Sequence, residues 1–559
     1  MRHLLKIVPL ILISCSLLAT RVNHFNLDHP ELILSALSLR QKIGQLCIVA
    51  TVSNEEKNPD TIKQWHDWQP LCCLKTDYVK KLVEEYHVGG VMFYGKKTLP
   101  EELRTLIHEL QELSPVPLFM AMDAECGLGN WFAPGSVITY PRAMALSATN
   151  DPACAYKLGY EIGIQLKSIN VQINWAPVVD VNCNPDNPVI GSRSFGSDPA
   201  QVIKMATAFV NGLQDARRIG CIKHFPGHGD TATDSHIGLP VIEYDRLRLN
   251  EIELLPFAQV IQNAQPKSVM VGHLKIPALD DIPSTVSYEI VTKLLVEELN
   301  FKELIVTDAL GMHGIANYAN QPGEGEVDVL ALLAGVDILL CPIDLIKTID
   351  AVEQAVKEGR ISEEEIDRKV LKVLRAKQWS FSEPYQEDVD LEKVLFSDTA
   401  KALQKELYSK AITLQKINEN YDYLATKAKP TIIALSDNST ALSNEQQVPY
   451  LRLPYNIEPT EIATIIKSIK TKHVVVSIHN PKWWNYAEHQ VPEGISALIA
   501  RLKELRKLVT VIVFGSPYTA RNLKNADAII LGYEDNKHAQ EAVLEVVMGR
   551  QKATGVCPV

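Results

Sequence analysis

Eight short apolar segments, rich in β-branched residues, recur between residues 44 and 341. They are 44–51, 87–95, 116–123, 171–180, 218–225, 267–273, 303–310 and 335–341. Helix-period segments follow them, such as residues 292–300 after the sixth, although a long irregular stretch follows the third. Continuous apolar strands joined by helices indicate a parallel sheet that is covered on both faces. Eight such strands predict an α/β fold with a TIM-type (β/α)8 barrel, and an open doubly wound sheet is the alternative.

A second series of strands begins after Pro430. Its apolar segments are 431–436, 473–479, 509–515 and 528–533, with helical stretches at 459–470 and 491–505 between them. This pattern predicts a smaller, open α/β sandwich domain. The two series of strands predict the catalytic barrel at 30–375 and the sandwich domain at 429–559, with a linker at 376–428 between them. A signal segment is expected at 1–20, for the reasons given below.

Composition limits the classes of function. The chain is 46% hydrophobic and 22% charged, which is typical of a globular protein with a large core. Its formal net charge of −11 argues against a nucleic-acid partner. The ten cysteines include no CxxC pair, so we expect no disulfide framework and no zinc site. We also expect no other metal and no cofactor.

The first twenty residues are typical of an export signal. A short basic start accompanies an apolar stretch from Leu4 to Leu18, which is too short to span a bilayer. The tetrapeptide LISC at 12–15 also resembles a bacterial lipobox, in which Cys15 would carry a lipid anchor. The alternatives are a plain signal peptide cleaved near Ala19 and an unprocessed N-terminus. We expect export to the cell envelope, as a periplasmic protein or a membrane-anchored lipoprotein, and a cytoplasmic location if the signal is not functional.

Ionisable side chains stand where several of the predicted barrel strands end. Active sites of (β/α)8 barrels lie at the carboxyl ends of the strands, so this pattern predicts an active site at that face. For two of the residues, Asp180 and His273, a supporting role behind the reacting groups and a plain strand-end role stay open. The full set is Asp123, Glu125, Asp180, Lys223, His224, His273 and Asp308.

The densest group of polar side chains lies in residues 223–236, KHFPGHGDTATDSH. In an extended segment the side chains of residues i and i+2 point the same way, so Asp234 can hold and polarise the His236 imidazole. A histidine paired in this way can act as an acid or a base near neutral pH. A metal-binding loop and a solvated polar loop are the alternatives, although no HExxH or comparable ligand spacing is present.

Asp308 follows an apolar strand and precedes Ala-Leu-Gly-Met. A carboxylate at this position can cap the next helix. When it shares a site with a general acid, it is instead the group with which a retaining glycosidase traps the sugar as a covalent ester.

Four long motifs resemble those of a known family. They are residues 223–236, NPVIGSRSFGSDP (187–199), GHLKIPALDDIPSTVS (272–287) and IVTDALGM (305–312). They resemble glycoside hydrolase family 3 and, within it, the NagZ-type β-N-acetylhexosaminidases of peptidoglycan turnover. The segments SLRQKIGQL (38–46) and FGSPY (514–518) are similar to the family's opening and to a second-domain motif. The resemblance thus covers about residues 35–550.

The resemblance implies an exo-acting, retaining β-N-acetylglucosaminidase that works without a metal on carbohydrates with terminal β-linked GlcNAc, such as muropeptide-like fragments. Asp308 aligns with the family nucleophile, His236 with the acid/base of this branch, and Asp234 with its dyad partner. The residues that align with sugar-hydroxyl contacts are Asp123, Arg193, Lys223 and His224. Family β-glucosidases instead tend to show SDW at the nucleophile and to take a glutamate acid/base from the second domain.

The sequence departs from the family pattern after Asp123. An arginine that the family places near the end of this segment is absent, and Trp131 stands at about that position. One contact to a sugar hydroxyl is therefore left open, and we expect a subsite that is more apolar or that stacks the sugar ring. We expect Cys126 to be a small buried residue and His228 to hold its loop.

Other functions compete with the hydrolase. A phosphorylase would keep the same site and use phosphate as the acceptor, because no carboxylate base would repel it. A second alternative is a non-catalytic sugar-binding protein of the envelope. The presence of Asp308, Asp234 and His236 argues against it. A nucleotide-binding role for the second domain lacks a GxxxxGK[ST] or GxGxxG motif after any of its strands.

Overall fold

The computed structural model describes residues 26–52, 55–56, 73–319, 325–383, 388–416, 429–438, 440–444, 448–480, 482, 485 and 487–559. The predicted export signal, with Cys15, and part of the expected linker lie outside these residues. Among the helices within the described ranges, none is long and apolar enough to cross a membrane.

The first domain is a barrel of parallel strands. Each strand pairs with the next one, and the last strand pairs with the first and bridges its predecessor at Val306 and Ile338, which closes the sheet. The eight strands coincide with the eight apolar segments, so the predicted (β/α)8 barrel is confirmed. One further two-residue strand, β2 (Cys73–Leu74), pairs with the first barrel strand, β1 (Cys47–Val52). The barrel strands are β1 (Cys47–Val52), β3 (Gly90–Tyr94), β4 (Phe119–Met122), β5 (Ile173–Asn174), β6 (Ile219–Phe225), β7 (Ser268–Val271), β8 (Leu304–Thr307) and β9 (Leu339–Leu340).

Helices surround the barrel. Several of them begin at a residue that the sequence marks as a cap: Asp151 and Asp198 each accept a hydrogen bond from a first-turn amide, and a proline follows each of them. The helices are Pro30–Ala36, Leu39–Gln45, Thr76–Tyr86, Pro100–Leu113, Ala143–Ala148, Pro152–Ser168, Pro199–Asp215, Arg246–Glu251, Leu254–Ala264, Glu289–Glu298, His313–Ala319, Glu326–Ala334, Leu345–Lys357 and Glu363–Ser380.

The barrel strands are buried on both faces, which explains their continuous apolar sequence. Strand β6 is buried along its whole length, including Lys223 and His224 near its carboxyl end. Buried charged groups are tolerated in a protein only when they are paired. The polar residues at this end of the barrel must therefore find partners among one another.

The second domain is an α/β sandwich, as predicted. Its sheet has the order β10-β15-β14-β13-β11-β12, and only β10 runs antiparallel to its neighbour. The helices of this part of the chain are Leu391–Leu395, Asp398–Ala411, Ile462–Ser468, Glu493–Glu504 and Lys537–Val547. The strands are β10 (Thr413–Lys416), β11 (Thr431–Leu435), β12 (Tyr450–Leu453), β13 (His473–His479), β14 (Leu508–Phe514) and β15 (Ala528–Leu531).

The two domains pack directly on each other. One apolar core of the second sheet includes Met144, Ala145 and Ala148, which belong to a barrel helix. The C-terminal segment adds backbone hydrogen bonds: the amide of Val556 donates to the carbonyl of Ala148 at 2.8 Å, and the amide of Ser197 donates to the carbonyl of Pro558 at 3.1 Å. The second domain therefore lies against the segments that follow β4 and β5, at the carboxyl-end face of the barrel.

Candidate active site

A cavity of about 490 Å³ opens at the carboxyl ends of the barrel strands. Of the seven residues predicted to be catalytic or to contact the sugar, six line it, and Asp234 contacts His236 without lining it. The six are Asp123, Arg193, Lys223, His224, His236 and Asp308. The cavity also takes in several residues that were not predicted as site residues. The charged and aromatic lining comprises Tyr94, Lys96, Asp123, Glu125, Trp131, Arg142, Arg193, Lys223, His224, His228, His236 and Asp308.

A larger groove, of about 790 Å³, lies at the opposite, amino-terminal end of the barrel. Several of its charged side chains pair with one another, as Lys267 does with Glu303 and Lys372 with Asp337. Catalytic residues of (β/α)8 barrels stand at the carboxyl ends of the strands. The smaller cavity is therefore the candidate active site.

A group of four charged side chains forms one wall of the cavity. Lys223 Nζ lies 2.7 Å from Asp123 Oδ1 and 2.9 Å from Glu125 Oε1. Arg193 donates two hydrogen bonds to the Glu125 carboxylate, from Nη2 to Oε1 at 2.7 Å and from Nε to Oε2 at 3.0 Å. Burial favours the neutral form of Glu125, but Arg193 and Lys223 outweigh it and hold the pKa of that carboxyl well below its usual range. All four groups are therefore rigidly placed and the Glu125 carboxylate stays ionised.

Glu125 was predicted only as an ionisable strand-end residue, with no catalytic or sugar-binding role, although it joins Arg193 to Lys223. The signal was present in the sequence, because Glu125 stands two residues after Asp123 at the end of a buried strand. Glu125 holds two residues that are predicted to contact the sugar, Arg193 and Lys223.

His224 is held by Asp180, which is fully buried. Asp180 Oδ2 lies 2.7 Å from His224 Nδ1, and its Oδ1 accepts hydrogen bonds from the backbone amides of His224 and His228. Arg193 Nη2 stands 3.4 Å from the other ring nitrogen of His224. Since an arginine can only donate, this arrangement places the imidazole proton on Nδ1, toward Asp180. The structure thus gives Asp180 a supporting role.

His236 and Asp234 contact each other on the loop after β6. His236 Nδ1 lies 2.8 Å from Asp234 Oδ1, which also accepts the backbone amide of His236 at 2.9 Å. Burial alone would raise the pKa of Asp234, but its hydrogen bonds with His236 lower it. The ionised carboxylate keeps a proton on Nδ1 of the His236 ring. No set of three or more His, Cys, Asp or Glu side chains in the described part of the chain is arranged to hold a metal ion.

The base of this loop is fixed by buried contacts. His228 Nδ1 lies 2.7 Å from Thr231 Oγ1 and its Nε2 lies 3.2 Å from Ser235 Oγ. Burial lowers the pKa of His228 to about 4, so its imidazole is neutral. A Cβ atom on Gly229 would stand 1.9 Å from the carbonyl oxygen of Val181, so only glycine allows this close approach. The dyad therefore extends from an anchored base.

Asp308 follows β8 and reaches the cavity from its floor. Its backbone amide donates to the carbonyl of Val271, and its Oδ1 accepts the amide of Ala309 at 2.8 Å. Burial would raise the pKa of this carboxyl, but His224, His273, His236 and the Ala309 amide together lower it to about 2. The next helix begins only at His313, so Asp308 does not cap it. The carboxylate is ionised and free of any strong ion pair with lysine or arginine among the contacts described.

His273 supports the same segment. Its Nε2 lies 3.0 Å from the carbonyl oxygen of Ala309 and its Nδ1 lies 2.6 Å from Thr285 Oγ1. Burial lowers the pKa of His273, so the neutral ring donates from Nε2 to that carbonyl. His273 therefore fixes the backbone next to Asp308.

Trp131 lines the cavity. Its ring packs edge-on against Tyr94 with 5.3 Å between the centroids, and its indole N–H donates to the carbonyl of Asp123. Cys126 lies behind this wall, where burial raises the pKa of its thiol to about 11. The cysteine is therefore a neutral thiol at physiological pH, as expected for a residue that is not a nucleophile.

A closed barrel with an ionised aspartate and a histidine–aspartate pair in one cavity, followed by an α/β sandwich, defines a two-domain enzyme of the glycosidase class. The family model for the glycosyl hydrolase family 3 N terminal domain matches residues 38–376. The chain belongs to glycoside hydrolase family 3.

Individual relatives agree with this assignment. Beta-hexosaminidase A of Pseudoalteromonas piscicida is 28% identical over 548 residues, which cover 86% of this chain and 90% of the relative. Beta-hexosaminidase LpqI of Mycobacterium tuberculosis is 33% identical over 358 residues, which cover 62% and 85%. A solved family 3 beta-N-acetylglucosaminidase from Paenibacillus sp. str. FPU-7 has a TM-score of 0.75 at 30% identity, covering 94% of this chain and 99% of that one.

Proposed function

We propose that this chain is an exo-acting, retaining β-N-acetylglucosaminidase that releases terminal β-linked GlcNAc, with peptidoglycan fragments as the natural source. The ionised Asp308 carboxylate, in one cavity with the His236–Asp234 pair, carries the proposal. The relatives named beta-hexosaminidase and the beta-N-acetylglucosaminidase structure support an N-acetylated sugar.

In the first step, an Asp308 carboxylate oxygen forms a bond to the anomeric carbon of the sugar. The glycosidic C–O bond breaks, and the departing oxygen takes the proton from Nε2 of the His236 imidazolium. The products are an alcohol and a glycosyl ester on Asp308, with inverted configuration at the anomeric carbon. The Asp234 carboxylate stabilises the charged imidazole before the transfer and orients its ring.

In the second step, the now neutral His236 accepts a proton from water through Nε2. The water oxygen bonds to the anomeric carbon and the ester bond breaks, which returns Asp308 to its carboxylate. A second inversion gives net retention. Imidazole groups titrate near neutral pH, whereas a carboxylic acid in this role needs a raised pKa. An imidazole also adds no second negative charge beside the ester.

The charged wall orients the sugar during both steps. In the proposed complex Asp123 accepts from a sugar hydroxyl, while Lys223, Arg193 and His224 supply donors or acceptors whose positions are already fixed. Because Glu125 and Asp180 hold these groups before substrate arrives, little reorganisation is needed in the transition state. The N-terminal sequence supports an envelope location, either periplasmic or anchored through Cys15.

Kinetics of site variants test the proposal. Asp308→Asn should lose at least about 10³-fold in kcat/KM on every β-GlcNAc substrate, because the bond-forming oxygen is lost. His236→Ala should lose about 10²–10⁴-fold on GlcNAc–MurNAc-peptide and chitooligosaccharides, but less on an aryl glycoside with a good leaving group, which needs no acid. Asp281→Asn and His108→Ala are matched controls, since both side chains are exposed. Wild-type turnover by either site variant would contradict the role assigned to that residue.

Product analysis separates hydrolysis from phosphorolysis. In phosphate buffer the enzyme should release GlcNAc, with β-configuration in the initial product. Accumulation of GlcNAc-1-phosphate would replace the hydrolase proposal by the phosphorylase alternative.

A further inference from the structure

We propose that Arg142 is a substrate-positioning residue of this cavity and that Glu534, from the second domain, holds it in place. The proposal rests on the proposed function, because it requires a sugar in the cavity. It gives the second domain a part in substrate binding.

Arg142 lies on the wall that carries the charged group. It directly precedes the helix Ala143–Ala148 and lines the cavity. Its Nη1 donates to Ser192 Oγ at 3.1 Å, and Ser192 is the neighbour of Arg193 in the chain. Its positive charge also acts on the thiol of Cys126, the neighbour of Glu125. The Arg142 side chain therefore lines the same cavity as Glu125 and Arg193 and is hydrogen-bonded to the residue that precedes Arg193.

Glu534 reaches Arg142 across the domain boundary. Glu534 Oε1 accepts the backbone amide of Arg142 at 2.6 Å. Its Oε2 accepts hydrogen bonds from Asn536 Nδ2 at 2.8 Å and from Tyr408 Oη at 3.1 Å. The side chain is almost completely buried, and a buried carboxylate is costly unless its oxygens are bonded. These three bonds fix Glu534 and, through it, the start of the helix that follows Arg142.

A second contact from the same domain fixes the partner of Arg142. The Tyr518 hydroxyl and Asn182 Nδ2 are 2.9 Å apart, and Asn182 Oδ1 accepts the amide of Gly191 at 3.1 Å. Gly191 begins the short turn that contains Ser192 and Arg193. The second domain thus contacts both partners of the hydrogen bond between Arg142 and Ser192. It binds the backbone of Arg142 and supports the start of the turn that contains Ser192.

The chemistry of Arg142 suits an oxygen acceptor on the bound sugar. A guanidinium carries five N–H donors and no acceptor, so it can donate to more than one oxygen at the same time. In the same wall Trp131 offers only an indole N–H, which the carbonyl of Asp123 accepts. Arg142 thereby brings a guanidinium to the cavity that Trp131 also lines.

Steady-state kinetics on an aryl β-GlcNAc test the role of Arg142. Arg142→Ala should raise KM at least tenfold while kcat changes by less than about threefold, since binding and not proton transfer is weakened. Arg142→Lys should have a KM between those of Arg142→Ala and the wild type, because lysine keeps the positive charge. An unchanged KM in Arg142→Ala would overturn the proposal, as would a loss confined to kcat.

A double-mutant cycle tests whether Glu534 acts through Arg142. Glu534→Gln should raise KM severalfold in the wild-type background and should have no further effect on Arg142→Ala. Glu406→Gln is the matched control, because Glu406 forms an exposed contact with Lys157 that lies outside the cavity lining. It should leave KM unchanged. Equal effects of Glu534→Gln in both backgrounds would show a merely structural role and overturn the coupling.

A binding measurement separates failure of this proposal from failure of the proposed function. If the wild-type chain hydrolysed no β-GlcNAc substrate, the proposed function would be wrong. Calorimetric titration with N-acetylglucosamine would then still compare wild type with Arg142→Ala. A weaker Kd in the variant supports a positioning role, and an equal Kd contradicts it.

Discussion

Glu125→Gln should lower both the stability and the activity of the enzyme, because Glu125 bonds two cations at once. Removing one partner of a buried ion pair costs about 3–5 kcal/mol. The side chains of Glu125 and Arg193 are 19% and 23% exposed, so the lower end, about 3 kcal/mol, applies. Unfolding of the barrel, about 340 residues, changes entropy by about 0.7 kcal/mol/K, so Tm should fall by about 4 °C.

The activity of the same variant should fall more than its stability suggests. With Glu125 neutral, Lys223 and Arg193 lose the anion that fixes them, and a displacement of about 1 Å costs about 10²-fold in rate. We therefore expect kcat/KM on an aryl β-GlcNAc to fall at least 10²-fold, measured beside thermal unfolding followed by circular dichroism.

The matched control lies at the other end of the barrel. Asp337 is buried, with its Oδ2 at 2.6 Å from Lys372 Nζ and 2.9 Å from the amide of Ile305. Asp337→Asn should lower Tm by a similar amount and keep kcat/KM within twofold of wild type. The reasoning is refuted if Glu125→Gln keeps its kcat/KM, or if Asp337→Asn loses as much activity.

Four further variants test three individual structural assignments. Burial lowers the pKa of Lys377 to about 7, so between pH 7 and 10 the unfolded chain binds a proton that the folded chain lacks. Lys377 should therefore add about 1.3 kcal/mol per pH unit to the pH dependence of stability near pH 8.5, and denaturant titrations should show this difference in slope between wild type and Lys377→Met. Gly229→Ala should lower kcat/KM at least tenfold through its clash with Val181, whereas Gly238→Ala, whose Cβ meets only Thr233 at 3.7 Å, should not. Cys126→Ser should keep kcat/KM within threefold, and a larger loss would give the thiol a role in the reaction.

The barrel and its site could be predicted because their signals are local. The strands are buried on both faces, so each appears in the sequence as a continuous apolar run. Strand ends converge in a barrel, so Asp123, Lys223 and Asp308 could be placed together from their positions alone. The dyad followed from the spacing of Asp234 and His236.

Other features have no local signal. Strands β10 and β12 are short edge strands with polar residues, so they lack an apolar run. Strand β10 and the helix Asp398–Ala411 lie in the range expected as a linker, where the charged helical pattern gave no sign of a strand in the second sheet. The bond between Arg142 and Glu534 joins residues of two domains, and only tertiary packing brings them together.

Covalent capture of the sugar would decide whether Asp308 is the nucleophile. An N-acetylglucosaminyl fluoride with a second fluorine at C5 forms the ester faster than water breaks it, so the intermediate accumulates. After digestion, mass spectrometry should find one added sugar residue on the peptide that contains Asp308, and none in Asp308→Asn. A sugar attached to Asp123, Glu125 or any other residue, or continued turnover of the reagent with no adduct at all, would contradict the mechanism.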